Sequence, residues 1–266
     1  MSNTTTLFDS SGVPQPSLLE LLAQFQVQHD GTFSGIRAAT QIAWLTPGKL
    51  RSEISDDDDR AKLQQYIQLF EALGFVEQLT AEGVHAEYMI VGAGKKTAVE
   101  NRLAFASKQW KEHNMRFRIA VMLGSGRPLQ TDEFDPLFQL SNEAQMVCRV
   151  YFDAGSAGKL AWEAERGQAF SASHFPFAPK PEDRNASVED CVAAWLRQFK
   201  VQPSPVICVF SQPFVVQQTL AVRLALGPQW ANVQGIGYGA VMRYGLRTYL
   251  DNIAKQIDVE YRLAHP

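Results

Sequence analysis

Apolar residues change their period once along this chain, near residue 85. Before that point they fall at helical spacing: after Pro16, Leu18, Leu21, Leu22 and Phe25 recur three and four residues apart, and a proline is well tolerated at a helix start. A second short helix is expected over 36–44, ending before Pro47. A third carries Leu63, Tyr66, Ile67, Phe70 and Leu73 and should stop at Gly74. It follows four consecutive acids, Asp56 to Asp59. Ser55 reads as its N-cap, with the acids stabilised by the positive end of the helix dipole. The competing reading, a calcium loop, lacks the spaced D-x-D-x-D-G pattern and its closing Glu.

From residue 85 short, nearly continuous apolar runs alternate with amphipathic helices. Residues 87–91 (EYMIV) run into Gly92-Ala93-Gly94. Thr97 and Glu100 then have the spacing of a capping box ahead of Val99, Leu103, Ala106 and Trp110. Residues 117–123 (FRIAVML) run into Gly124-Ser125-Gly126, and a helix from Ser141 bears Met146, Val147, Val150 and Tyr151. Ser187 and Asp190 open a further helix. Residues 206–210 (VICVF) form a third strand, a helix around Val216, Leu220 and Leu224 follows, and 233–239 form a fourth strand. A closing helix places Leu246, Leu250, Ile253, Ile257 and Tyr261 on one face. Unalternating strands separated by amphipathic helices imply a parallel sheet covered on both faces. The fold class is therefore α/β: a Rossmann-like domain over 85–266, preceded by a helical N-terminal segment, 1–84, packing on it. The stretch from about 154 to 184, with Gly155, Gly158, Gly167 and several prolines, is expected to be a long loop with at most one short strand.

Composition narrows the function classes. With 266 residues the chain can bury a core without metal or disulfide staples. A balance of 25 basic against 28 acidic residues argues against a dedicated nucleic-acid binder. Cys148, Cys191 and Cys208 lie far apart with no metal-ligand spacing, so they read as reduced, buried thiols. With a polar N-terminus and no run of ~18 apolar residues, these features predict a cytoplasmic protein without a signal peptide or membrane span.

Open α/β sheets bind ligands beyond the carboxyl ends of their strands. Three such ends carry informative residues: Gly92, Gly94, Lys95 and Lys96; Gly124, Ser125, Gly126 and Arg127; and Ser211 with Gln212. Glycines admit a ligand to the backbone, a following helix N-terminus attracts anions, and the basic residues add charge. GAGKKT could be a Walker A tail, although Met89 stands where that motif needs its first Gly. It could equally be a GxGxxG loop ending in Thr97, or a plain tight turn.

The order of these motifs resembles the YdcF/SanA/ElyC-like proteins, a bacterial domain family of largely undefined activity. Gly92 to Gly94 and the Arg102-Leu103 pair match its first glycine loop and helix, and Gly124 to Gly126 match the end of its second strand. Glu143-Ala144 matches its Glu-Ala pair. Ser187-Val188-Glu189-Asp190 matches its T-x-E-N conservatively, with Ala186 at the preceding Asn, and Ser211-Gln212-Pro213-Phe214 matches its T-Q-x-F. The likeness covers roughly residues 86–240. Val215 and Gln218 stand where the family has a His and an Arg, a proton carrier and an anion clamp. His174 is a candidate substitute for the missing His.

The resemblance implies a nucleotide-like or phosphorylated small molecule in a crevice lined by Gly92, Gly94, Lys95, Arg102, Gly124, Ser125, Gly126, Arg127, Glu143, Ser187, Glu189, Ser211 and Gln212. S-adenosylmethionine or another nucleotide-like cofactor is one ligand class for it. Glu143 and Glu189, each in the first turn of a helix, would bind hydroxyl or amine groups, or one could serve as general base. The alternative is a non-catalytic interaction or regulatory protein of the same descent, meeting a protein partner through the N-terminal helices. A dinucleotide-dependent oxidoreductase is disfavoured, because Gly124-Ser125-Gly126 ends the strand that should carry its ribose-binding acid.

Overall fold

A computed structural model of the chain describes residues 6–46, 57–134, 139–166, 173–239 and 244–266. They divide into two compact units, one of residues 1–78, 212–220 and 239–266, the other of 79–211 and 221–238.

The first unit is helical. It contains α1 (Pro16–Gln24), α2 (Phe33–Trp44), α3 (Asp57–Ala72) and the closing helix, α9 (Leu246–Ala264). Leu18, Leu21, Leu22, Ile36, Leu63 and Phe70 share one core with Tyr249, Ile253 and Ile257, so the C-terminal helix completes the apolar face of the N-terminal ones. α3 ends as expected at Gly74 (φ 80°). The Phe75 N–H donates to the Phe70 carbonyl and the Gly74 N–H to that of Glu71, the paired bonds of a left-handed helix stop. The expected Ser55 cap and Asp56 lie outside the described residues. Of the acid run, Asp59 is buried and accepts the Arg247 N–H at 3.1 and 3.2 Å, serving the first turn of α9.

The second unit holds β1 (His85–Val91), α4 (Lys96–Glu112), β2 (Arg116–Met122), β3 (Gly124–Ser125), α5 (Glu143–Ser156), α6 (Ala161–Arg166), β4 (Ser173–His174), β5 (Phe177–Ala178), α7 (Val188–Gln198), β6 (Val206–Ser211) and β7 (Val233–Tyr238). α8 (Val215–Leu226) joins β6 to β7 in sequence. The main sheet has the order β4-β2-β1-β6-β7, every pairing parallel. Both of its faces are covered. Met89, Val91, Ile207 and Val209 pack in one core with Val99, Leu103, Met146 and Val150 of α4 and α5. Tyr88, on the other face, sets its ring edge-on to Trp195 of α7 at 5.0 Å. This is the Rossmann-like α/β arrangement expected from the unalternating strands.

Two expectations need correction. The stretch 154–184 is not one long loop: α5 runs on to Ser156, α6 follows, β4 extends the main sheet along β2, and β5 pairs with β3. Strands of two residues are too short to show a period, and α6 is anchored by the fully buried Trp162 rather than by a repeating stripe. Nor do Thr97 and Glu100 form a capping box. α4 begins earlier, with Lys95 as an extended N-cap that makes no side-chain cap bond.

In the first unit a buried carboxylate ties chain start to chain end. The Leu7 N–H donates to both oxygens of Glu260 (2.9 and 3.0 Å), the Phe8 N–H to one (3.1 Å) and Gln256 Nε2 to the other (2.8 Å). Burial pushes this carboxyl up to about 7, against the pull of those donors. The folded state thus holds the proton more tightly than the unfolded chain, which favours folding at acid pH and loses that contribution as pH rises through 7. We expect stability to fall between about pH 5 and 8 by up to roughly 3 kcal/mol from this group. Denaturant titrations across that range should show a flatter profile in Glu260→Gln; an unchanged profile would contradict the assignment.

Candidate functional site

The parallel register sets the geometry at the carboxyl end of the sheet. Val91 lies opposite Val209, so β6 continues two residues past its neighbour and brings Ser211 level with Ala93. Arg102, two turns into α4 and 3% exposed, closes the gap. Its Nη1 donates to the carbonyls of Gly92 (2.8 Å) and Ala93 (2.6 Å), and Nη2 donates to Ser211 Oγ (3.2 Å). The guanidinium also sits 6.0 Å from the centre of the Phe210 ring. A Cβ on Gly92 would meet that ring at 2.3 Å, and one on Gly94 (φ 153°) would meet Arg102 Nη1 at 3.3 Å. These glycines therefore admit a side chain of the protein itself. Arg102 acts as a bolt between the first glycine loop and the end of β6, not as a free anion clamp.

Beyond that bolt the start of α4 is bare. Its first turn has no acidic residue and no side-chain cap, and the Ala98 and Val99 N–H groups both turn back to the Lys95 carbonyl. The Lys96 and Thr97 N–H groups carry no partner among the described residues, Thr97 is exposed, and Lys95 and Lys96 stand beside them. An uncapped helix start flanked by Lys96, and by Lys95 whose ammonium pairs with Asp132 at 2.9 Å, favours an anion.

The second glycine loop leads into a closed charge network. Arg127 Nη1 and Nη2 each donate to an oxygen of Glu133 at 2.8 Å, and Nε donates to Glu143 Oε1 at 3.1 Å. Ser125 Oγ donates to Glu143 Oε2 at 2.6 Å and accepts the Arg127 N–H at 3.2 Å. Glu133 and Glu143 side chains are 1% and 8% exposed. Burial works against the Arg127 charge, but its bonds to and attraction by the two carboxylates prevail and raise its pKa. Glu143 is where the sequence placed it, in the first turn of α5, with its carboxylate turned inward. Residue 124 must lack a side chain, since a Cβ on Gly124 would lie 2.6 Å from the Ala144 Cα. A Cβ on Gly126 would lie 3.0 Å from the Lys180 N. Glu133, the main partner of Arg127, was not among the expected residues. It stands in a 3-10 turn whose short sequence, TDE, shows no periodic signal.

The remaining expected residues sit on α7 and at the end of β6. Ser187 caps α7: its Oγ accepts the Asp190 N–H while its own N–H and hydroxyl donate to the Asp190 carboxylate. Bonds from Arg184 and Ser187 hold Asp190 down to about 2 despite partial burial. Glu189 follows, half-buried in the same turn. Cys191 Sγ reaches the Gly124 carbonyl at 3.8 Å, so the start of α7 runs alongside the second glycine loop. Its thiol is pushed up to about 12, first by burial and then by Glu143 and Asp190, and is inert as a nucleophile.

Gln212 belongs to the helical unit, where its Nε2 donates to the Gly74 (3.0 Å) and Glu77 (2.8 Å) carbonyls. Phe214 and Val215 of that unit are 1% and 0% exposed. His174 accepts the Trp195 indole N–H on Nδ1 at 3.0 Å and stacks on Phe199, and burial lowers its pKa. These contacts fix it at the sheet edge.

Among the described residues no helix is long and apolar enough to cross a membrane, and no three His, Cys, Asp or Glu side chains gather to hold a metal ion. No protein-family model, curated protein or solved structure matches the chain.

The two kinds of charge pair here should respond very differently to deletion. Glu133→Ala leaves a buried guanidinium short of its bidentate partner and should cost about 3–5 kcal/mol in chemical denaturation. Lys95→Ala breaks a pair, with Asp132 at 2.9 Å, whose side chains are 41% and 60% exposed, and should leave the denaturation midpoint nearly unchanged. Equal costs would contradict the structural role given to the Arg127 network.

Proposed function

We propose that this chain binds a phosphorylated, nucleotide-like small molecule at the carboxyl end of its sheet, with the first turn of α4 holding the phosphate. The observation that carries this is the uncapped start of α4: free amides at Lys96 and Thr97, two lysines, and a loop braced from behind by Arg102. A 17-residue helix has a full macrodipole, and its positive end here opens at the central strand β1. The order of motifs shared with the YdcF/SanA/ElyC-like proteins supports the same placement. S-adenosylmethionine lacks a phosphate and fits this pocket chemistry less well than a nucleotide does. The reduced thiols suit a cytoplasmic setting.

In this reading the charge network around Arg127 shapes the second loop. Its carboxylates hold Arg127 and Ser125, which leaves binding, rather than proton transfer, as the role of the crevice. A second reading, a non-catalytic protein that meets a protein partner through its N-terminal helices, is favoured by Val215 at the position of the family's His. It is also favoured by Ile42, which stands 87% exposed on α2.

Isothermal titration with inorganic pyrophosphate, beside native mass spectrometry of the freshly purified protein, tests the first reading. It predicts a saturable site or a retained phosphorylated adduct, weakened at least about tenfold in the Lys95→Glu/Lys96→Glu protein, or about 1.4 kcal/mol. A protein that purifies bare and takes up no pyrophosphate at millimolar concentration contradicts it.

A further inference from the structure

Between α4 and α5 lies a groove of about 790 Å³ that starts beside Lys96 and runs along α4 to Lys111; the strand-end reading uses only its Lys96 end. Its floor is aliphatic: Leu103, Met146, Val150 and Leu160 are each at most 5% exposed. Its rim is charged, and most of those charges are spoken for. Lys108 pairs with Glu112 at 3.7 Å, Arg149 with Asp153 at 2.7 Å, and Glu133 belongs to Arg127. Lys111 and Lys159 make no ion pair among the described residues, although both line the groove.

The two lysines are held at the same end. Ser107 Oγ donates to the Lys159 carbonyl at 2.9 Å and accepts the Ala161 N–H at 3.1 Å, which fixes residue 159 against α4. Lys111 lies four residues beyond Ser107, on the same face of the helix. The groove therefore offers an apolar bed whose far end carries two lysines that pair with no carboxylate among the described residues, although Glu112, the 3.7 Å partner of Lys108, lines the same end. Its volume is in the range of small-molecule sites. Fifteen residues along α4 separate Lys111 from Lys96, about 22 Å at the helical rise, so this end is distinct from the phosphate locus at the start of the helix.

We propose that this groove is a second binding site, for an amphipathic organic anion. The apolar body lies over Leu103, Met146, Val150 and Leu160, and a carboxylate or sulfonate sits between Lys111 and Lys159. Apolar contact supplies most of the affinity, and the lysines orient the ligand and reject neutral or cationic molecules of the same shape.

The probe is 1-anilinonaphthalene-8-sulfonate, an apolar aromatic body with one sulfonate, titrated into the full chain by calorimetry and fluorescence. One saturable site per chain is expected. Lys111→Glu/Lys159→Glu should weaken it at least tenfold. Ala104→Trp, placed on the exposed rim, should fill the groove and abolish it. Saturating pyrophosphate, directed to the other end of α4, should leave the probe in place. Thermal melts of both variants establish that they fold, and the lysine variant, altered only at exposed positions, keeps the test decisive if the tryptophan does not. Absence of a one-site isotherm, affinity within twofold of the parent in the lysine variant, or displacement by pyrophosphate would each overturn the proposal.

Discussion

Arg102 is the contact on which the rest of the sheet end depends. A guanidinium buried under a helix must find acceptors for its donors, because an unmet charged group in the interior costs far more than the net value of the bonds it makes. Here the acceptors are two carbonyls of the loop after β1 and the hydroxyl at the end of β6. They are available because β6 overshoots β1 by two residues, about 7 Å of strand. The loop is consequently pinned by its carbonyls, which turn toward Arg102. Its next residues enter α4 with no side chain spare to cap the helix. An inward-facing bolt and an outward-facing, uncapped helix start are two consequences of one arrangement.

The Arg127 network plays the matching part on the neighbouring strand, with a different balance. One guanidinium is shared by two carboxylates, and a hydroxyl fills the remaining acceptor. A buried charge cluster of this kind contributes little net stability against an apolar alternative but is costly to break, so it fixes geometry more than it adds free energy. The second glycine loop is held between that network and β5, which receives the Gly126 N–H at the Ala178 carbonyl. Both strand-end loops are thus braced by bonds within the protein, and a preorganised site loses less entropy on binding.

The sheet was legible because its strands are buried on both faces and therefore unalternating: residues 87–91, 117–123, 206–210 and 233–239 each mark a strand seen in the structure to within a few residues. The motif glycines and Arg102, Arg127, Glu143 and Ser211 were also found at strand ends. What sequence order could not give was direction. Whether Arg102 faces a ligand or its own loop depends on the register of β6 against β1, a long-range property with no local signal. Glu133 was missed for the same reason, since a three-residue turn has no period to read. The Thr97 capping box failed because α4 starts earlier than its spacing implies, at Lys96 with Lys95 as N-cap. Gln212 illustrates the converse: its motif neighbour Ser211 closes the sheet unit, while its own amide serves the helical unit.

The most direct test of this account is hydrogen exchange in Arg102→Met, which keeps the apolar stem and removes every donor. If Arg102 is the bolt, the hydrogen-bonded amides of Gly92, Ala98 and Val99 should exchange at least about tenfold faster than in the parent, a local opening easier by about 1.4 kcal/mol or more, while α1 to α3 keep their protection. Unchanged protection at Gly92, Ala98 and Val99 would show that the loop holds its shape without the guanidinium, and would contradict the central place given to it here.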